Sequence, residues 1–412
     1  MHSSSSARPK SRLHGLLWEL ATKLPTVVIV ALVVLGLEHS GALNGLQTVA
    51  LDTWLLASSG GTDTDVVIVG IDDDDYEQFF EGKSPLAPEM LRSILDDIAA
   101  AQPKAIGIDI DTSNRAFKDL AANSETLAKA VWARDCRSVV SADGKRELLR
   151  EEILGGNFKE LRSEKEIIST DPPSGVTLFP QDSDGLVRRY YQMVETHASE
   201  HGGEAGYCLS LPTAIAEITI DGKSNTAPAA GKRTEEPLLL NVATAKTARM
   251  YVHHLRQAAK SEAWAKNSPL KGKIVLLGGM YHAARDSYST PIGPRYGVEL
   301  IAQAIATELR GGGIPELSPL YQFFLDIVLG SVLVTLSHLF TGRVAFFLNL
   351  FGIVVLAMLG SWIAFHSLAY WFNYGAVLAG VAIHIQYDHI VEKRHLEQEV
   401  KELREQLAAK EK

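Results

Sequence analysis

Acidic side chains raise the first chemical question. Asp72 to Asp75 follow the apolar stretch Val66–Ile71, and Asp109 and Asp111 close a second one at Ala105–Ile110. The glycine pair Gly278 and Gly279 ends a third, Lys271–Gly279, with Asp286 shortly after it. Carboxylates brought together could line a pocket for a polar ligand or coordinate a hard cation such as Ca²⁺ or Mg²⁺ through oxygen. The rival use is structural, because Asp also caps helices and turns that follow strands. The glycine pair would let a ligand approach the backbone, but the Gly, Lys and Ser/Thr pattern of a phosphate loop is absent. The candidate ligand-binding residues are therefore Asp72, Asp73, Asp109, Asp111, Gly278, Gly279 and Asp286, with no residue assigned to catalysis or to a metal. A further charged group, Asp182, Asp184, Arg188 and Arg189, could pair across the turn QDSDG at Gln181–Gly185.

The elements that must place these residues follow from hydrophobic pattern. Val66–Ile71 and Ala105–Ile110 are short, almost wholly apolar runs, the signature of strands covered on both faces. Between them Pro88 opens a helix with Leu91, Ile94, Leu95 and Ile98 in one stripe, which Pro103 closes. Strand, helix, strand is most simply a parallel pair, and in parallel sheets ligands collect beyond the carboxyl ends of the strands. Lys271–Gly279 reads as a third buried strand. Gly297–Arg310 reads as an amphipathic helix with Val298, Ile301, Ala302, Ile305 and Leu309 on one side, ended by Gly311–Gly313. Leu120–Trp132 and Ser210–Glu217 read as helices, and Gly175–Phe179 with Leu186–Val194 as a hairpin-like region. Asp221–Pro237 is a polar loop.

The 46% hydrophobic composition conceals a division between four uncharged apolar stretches and a middle of ordinary soluble composition. The apolar stretches predict membrane spans at residues 24–43, 320–340, 344–365 and 368–387. The first also fits a cleaved signal peptide, although EHSGALNG after Leu37 is only a weak cleavage site and a retained anchor is the reading taken. Basic residues lie before the first span, at Arg343 in the short Thr341–Arg343 connection, and at Lys393 and Arg394 after the last. With four spans all of them fall on one side, the cytoplasmic side by the positive-inside rule. That predicts a cytoplasmic basic N-terminus at 1–23, a domain outside the cytoplasm at 44–319, and a cytoplasmic tail at 388–412. Tyr370, Trp371 and Tyr374 suit an aromatic belt. In the tail Leu396, Val400, Leu403 and Leu407 are spaced four, three and four apart, a coiled-coil seam about two heptads long and so a marginal dimer contact.

This layout resembles the second CHASE family, extracytoplasmic sensory domains of bacterial receptors. The resemblance covers most of Asp52–Lys412. It rests on VVIVGIDDDD (Val66–Asp75), PKAIGIDID (Pro103–Asp111), DSDGLVRRY (Asp182–Tyr190), GKIVLLGG (Gly272–Gly279), TPIG (Thr290–Gly293) and GVELIAQAIATEL (Gly297–Leu309). Three apolar stretches directly after that helix complete it. The resemblance implies an α/β sensory domain with a mainly parallel sheet, an all-α membrane part of one N-terminal and three C-terminal spans, and a short coiled-coil helix. Such receptors usually continue into a cytoplasmic output domain, whereas this sequence runs to Lys412, so the expected partner is a separate cytoplasmic effector.

The expected function is a sensor on the cytoplasmic membrane that detects an unknown extracytoplasmic ligand, with a homodimer possible. A passive membrane scaffold is the alternative. An ion-pathway subunit using Asp326, His338 and His384 is the third reading. The basic residues form no dense patch, which excludes a nucleic-acid partner. No Ser/His/Asp set and no HExxH motif occurs, so neither an enzyme nor a cofactor is expected. Cys136 and Cys208 lack metal-ligand spacing, and either a disulfide or two free thiols fits.

Overall fold

A computed structural model describes residues 12–57, 63–112, 114–117, 119–121, 124–134, 136–140, 146–150, 173–196, 206–221, 234, 236–240, 246–340, 351–368 and 370–410. The start of the basic N-terminus, most of the 221–237 loop and the Thr341–Arg343 connection lie outside them. The chain forms two compact units, Leu55–Ile314 and the flanking helices of Met1–Trp54 with Pro315–Lys412.

The helical unit begins with α1 (Arg12–His39) and α2 (Asn44–Ala57). On α2 Ala50 and Trp54 are buried, while Leu46 and Val49 are exposed. Trp54 turns inward because its indole N–H donates to Ser361 Oγ at 3.0 Å.

The other unit is organised around β1 (Asp63–Ile71). After it come α3 (Asp73–Phe80), α4 (Pro88–Ala100), β2 (Ala105–Asp109), α5 (Glu125–Ala128), β3 (Val131–Arg134), β4 (Cys136–Val140), β5 (Arg146–Arg150) and β6 (Ser174–Val176). Then come β7 (Arg189–Tyr190), β8 (Met193–Thr196), β9 (Gly206–Leu209), α6 (Leu211–Asp221), β10 (Leu238–Leu239), β11 (Lys246–Tyr251), α7 (Val252–Ala258) and α8 (Trp264–Asn267). The unit closes with β12 (Ile274–Gly279), β13 (Ser287–Tyr288), β14 (Arg295–Tyr296) and α9 (Gly297–Glu308). Six strands make one sheet in the order β11-β1-β12-β2-β3-β6, every pair parallel. β12 pairs with both β1 and β2, which places all three candidate strand ends side by side.

The alternation along each strand explains the apolar runs. Val67, Val69, Ile106, Ile108, Val275 and Leu277 face α3, α4, α7 and α8 in one core, with Leu91, Ile94, Leu95 and Ile98 among the covering residues. Val66, Ile68, Ala105, Ile274 and Leu276 face α6 and α9 in the other. A strand with both faces covered has no polar positions to alternate.

Three expectations need correction. Leu120–Trp132 is not one helix: only Glu125–Ala128 is helical, and Val131 and Trp132, β-branched and aromatic, enter the sheet as β3. Gly175–Phe179 is not a hairpin arm, because Ser174–Val176 pairs parallel to β3 at the sheet edge. The antiparallel bridge of that region is Gln181 with Val187 across the turn. Finally, α9 is buried on more than its sheet-facing side: Glu299, Leu300, Gln303, Ala304 and Thr307 are also covered. Its flanks are closed by α6 and by ion pairing of Glu299 with Arg249. Tyr190 donates its hydroxyl to Glu308 at the far end.

The second part of the helical unit is α10 (Pro319–Leu339), α11 (Ile353–Ile363) and α12 (Tyr374–Lys410). Among the described residues two helical stretches are long and apolar enough to cross a membrane by length and composition. They are Leu20–His39, mean hydropathy 2.3, and Pro319–Leu336, mean hydropathy 1.7. Ile353–Ser367 is apolar but shorter. The stretch expected at 368–387 becomes helical only at Tyr374. The Trp371 amide donates to Pro315 O at 3.1 Å and its carbonyl accepts from Leu317 at 2.8 Å, while Asn373 Oδ1 caps the Ala376 amide at 3.2 Å. Trp371 and Tyr374 are therefore buried among helices rather than arrayed in a belt, and Tyr370 alone of the three is exposed.

Candidate ligand-binding site

A cavity of about 340 Å³ opens at the carboxyl edge of the sheet. Ile71 at the end of β1, Asp109 at the end of β2 and Gly279 at the end of β12 form its floor, and Asp111 and Asp286 join them. Of the seven candidates, four thus line one space: Asp109, Asp111, Gly279 and Asp286. Two aromatic pairs stand in its walls. Tyr76 of α3 stacks on Tyr281 with ring centroids 4.2 Å apart, and Phe179 meets Tyr288 edge to face at 5.9 Å. Gly297 and Ile301 bring the first turns of α9 to the cavity.

The remaining candidates serve the scaffold. Asp72 is the N-cap of α3: its Oδ1 accepts the Asp75 amide at 2.8 Å, and Asp75 Oδ2 accepts the Asp72 amide at 3.4 Å, a reciprocal capping box. Asp73 accepts the His282 amide at 2.8 Å and pairs with His282 Nδ1 at 2.6 Å. It thereby clamps the β12–β13 loop that carries Tyr281 and Asp286, and those bonds hold its carboxyl below the usual range. Gly278 is required for packing, since a Cβ there would lie 2.6 Å from Val298 Cγ2 of α9.

Asp75, which sequence reasoning passed over, is fully buried. It accepts the amides of Val252 at 3.0 Å and His253 at 2.9 Å, and lies 2.9 Å from His253 Nδ1. Asp72, Asp75 and His253 lie close enough together to suggest a metal centre. Yet the Asp75 oxygens a cation would need already face amide donors at the start of α7. Burial pushes this carboxyl up, and its bonds to His253 pull it partly back.

Electrostatically the cavity is the reverse of these satisfied acids. Burial pushes Asp109 up to about 8, with the nearby Asp286 carboxylate adding to the effect. Burial raises Asp286 as well, against the Tyr288 and Gly297 bonds that lower it. Tyr288 rises to about 12 for the same two reasons, burial and Asp286. Among the described residues no Lys, Arg or His lines the cavity.

The turn acids are structural. Arg188, fully buried, pairs with Asp182 at 2.9 Å and with Asp184 at 2.8 Å, and Arg189 also pairs with Asp182. The Arg188 bond holds Asp184 down at about 2. In the helical unit Asp326 and His384 face one cavity of about 30 Å³, room for about a single water rather than a conduit.

The parallel sheet, covered on both faces, carries an acidic, aromatic cavity at its carboxyl edge, the place where open α/β sheets take ligands, and apolar helices flank it in sequence. The chain matches the CHASE2 domain over residues 28–336, and it belongs to that family of extracytoplasmic sensory domains. No curated protein and no solved structure matches it.

Proposed function

We propose that the protein is a multi-pass receptor of the cytoplasmic membrane. Its CHASE2 domain lies outside the cytoplasm, binds a small ligand in the carboxyl-edge cavity, and passes the bound state to a separate cytoplasmic effector. The observation that carries this reading is the cavity itself, built where open α/β sheets take their ligands. Relay has a short covalent route. Helix α9, whose Gly297 and Ile301 line the cavity, is followed by α10 after Leu309–Ser318. Helix α12 then runs unbroken from Tyr374 to Lys410. On it Leu396, Val400, Leu403 and Leu407 are 48–61% exposed, apolar side chains that gain nothing from water. A seam this short is marginal alone, so a ligand preference of a few kcal/mol (about a hundredfold to a thousandfold) could move the tail between two arrangements.

The test is the double variant Leu403→Asp, Leu407→Asp, purified from native membranes. Loss of effector co-purification with an unchanged melting transition of the outer domain supports the relay. Effector retained by the double variant at the wild-type level refutes the tail as the contact.

A further inference from the structure

Resting on the reading of the cavity as the sensing site, we propose that it takes a small organic cation. The ligand is an ammonium or guanidinium group on an apolar or aromatic body, with Asp109 and Asp286 as counter-ions. Among the described residues three carboxylates and no basic side chain line the space, a lining that disfavours an anion. A neutral ligand brings no counter-charge to either half-buried carboxylate, whereas a cation does. A bare divalent ion is the wrong size and chemistry. About 340 Å³ is roughly ten times a water's share of liquid volume, and Ca²⁺ needs 6–8 oxygens rather than ring faces. The Tyr76–Tyr281 stack and the Phe179–Tyr288 pair offer π faces to a cation and apolar area to its body. The titratable groups lining the cavity are Asp109, Asp111, Asp286, Tyr76, Tyr281 and Tyr288. The cation requires the Asp109–Asp286 pair deprotonated, so binding drives out a proton and tightens as pH rises through about 8.

The experiment is isothermal titration of the full chain in detergent micelles. The probes are methylammonium, agmatine and phenethylammonium at pH 6 and pH 8, with 2-phenylethanol and CaCl₂ as controls. The expected result is saturable binding of at least one amine, at least tenfold tighter at pH 8 than at pH 6. It should be absent for the alcohol and weakened at least tenfold in both Asp109→Asn and Asp286→Asn, each shown folded by its melting transition. Binding of no amine, equal binding of the alcohol, a Ca²⁺ site removed by the same substitutions, or amine binding indifferent to both variants each overturns the proposal. The sensor reading fails on different data. Amines that fail while the tail variant still releases the effector refute the cation alone, and amine binding with an indifferent tail refutes the relay alone.

Discussion

Asp109 should make the protein less stable than it could be. A carboxyl whose folded value is raised to about 8 from 3.8 favours folding fully below pH 4 and loses that contribution as pH climbs through 8. The interval of about four units, at about 1.4 kcal/mol each, sets a ceiling of ~6 kcal/mol. Relaxation and water entry from a half-exposed edge reduce this to a working figure of ~2–3 kcal/mol. Asp109→Asn removes the ionisation, keeps the shape, and relieves Asp286 of its charged neighbour. The variant should therefore match wild type near pH 4 and exceed it progressively to pH 9, where its melting transition should lie roughly 5–10 °C higher. The assay is thermal melting of the full chain in micelles at unit steps of pH. Parallel pH profiles for the two proteins, or a less stable variant at pH 9, would refute the buried, uncompensated environment described for Asp109.

Two further perturbations separate scaffold from site. At Gly297 a Cβ would overlap the Asp286 carboxylate, so Gly297→Ala should displace that side chain. The variant should lose a hydrogen bond worth ~1 kcal/mol, largely offset by alanine's helix preference, and so melt near wild type while binding amines at least tenfold more weakly. Unchanged amine binding would show that Asp286 is not held against α9. Arg188→Met should destabilise by ~3 kcal/mol at pH 7, because it strips a fully buried guanidinium from two carboxylates, measured as a drop in melting temperature. Asp184, held at about 2, contributes stability above pH 4 that is lost as pH falls toward 2, so the gap between variant and wild type should close over that window.

The sheet was legible because its strands are covered twice. Val66–Ile71, Ala105–Ile110 and Lys271–Gly279 declare themselves through their mainly apolar content, and strands run over Asp63–Ile71, Ala105–Asp109 and Ile274–Gly279. What the pattern could not give is sheet order. That β12, last in sequence, lies between β1 and β2 depends on pairings more than 160 residues apart, for which local periodicity holds no signal. Short strands failed for a related reason: Val131–Arg134 and Ser174–Val176 are too brief for either period to declare itself. The aromatic walls were missed too. Tyr76, Phe179, Tyr281 and Tyr288 lie on four separate segments, and only the fold shows that they converge.

The candidate acids divide by what already occupies their oxygens, and that division is the stronger guide to function. Composition alone presents Asp72, Asp73, Asp75, Asp109 and Asp286 as equals. In the structure Asp72 is spent on the first turn of α3, Asp73 on the His282 loop, and Asp75 on the start of α7. An acid bonded to backbone amides has its stabilising partner within the fold, and selection for folding suffices to explain it. At Asp109 burial and the neighbouring Asp286 carboxylate both raise the carboxyl, and at Asp286 burial outweighs the Tyr288 and Gly297 bonds. Such a pair weakens the folded state for as long as nothing of positive charge joins it. Asparagine at either position would relieve the strain at no cost in volume. The proposed amine would supply that positive charge, so its binding and the pH dependence of stability should report on the same two carboxylates.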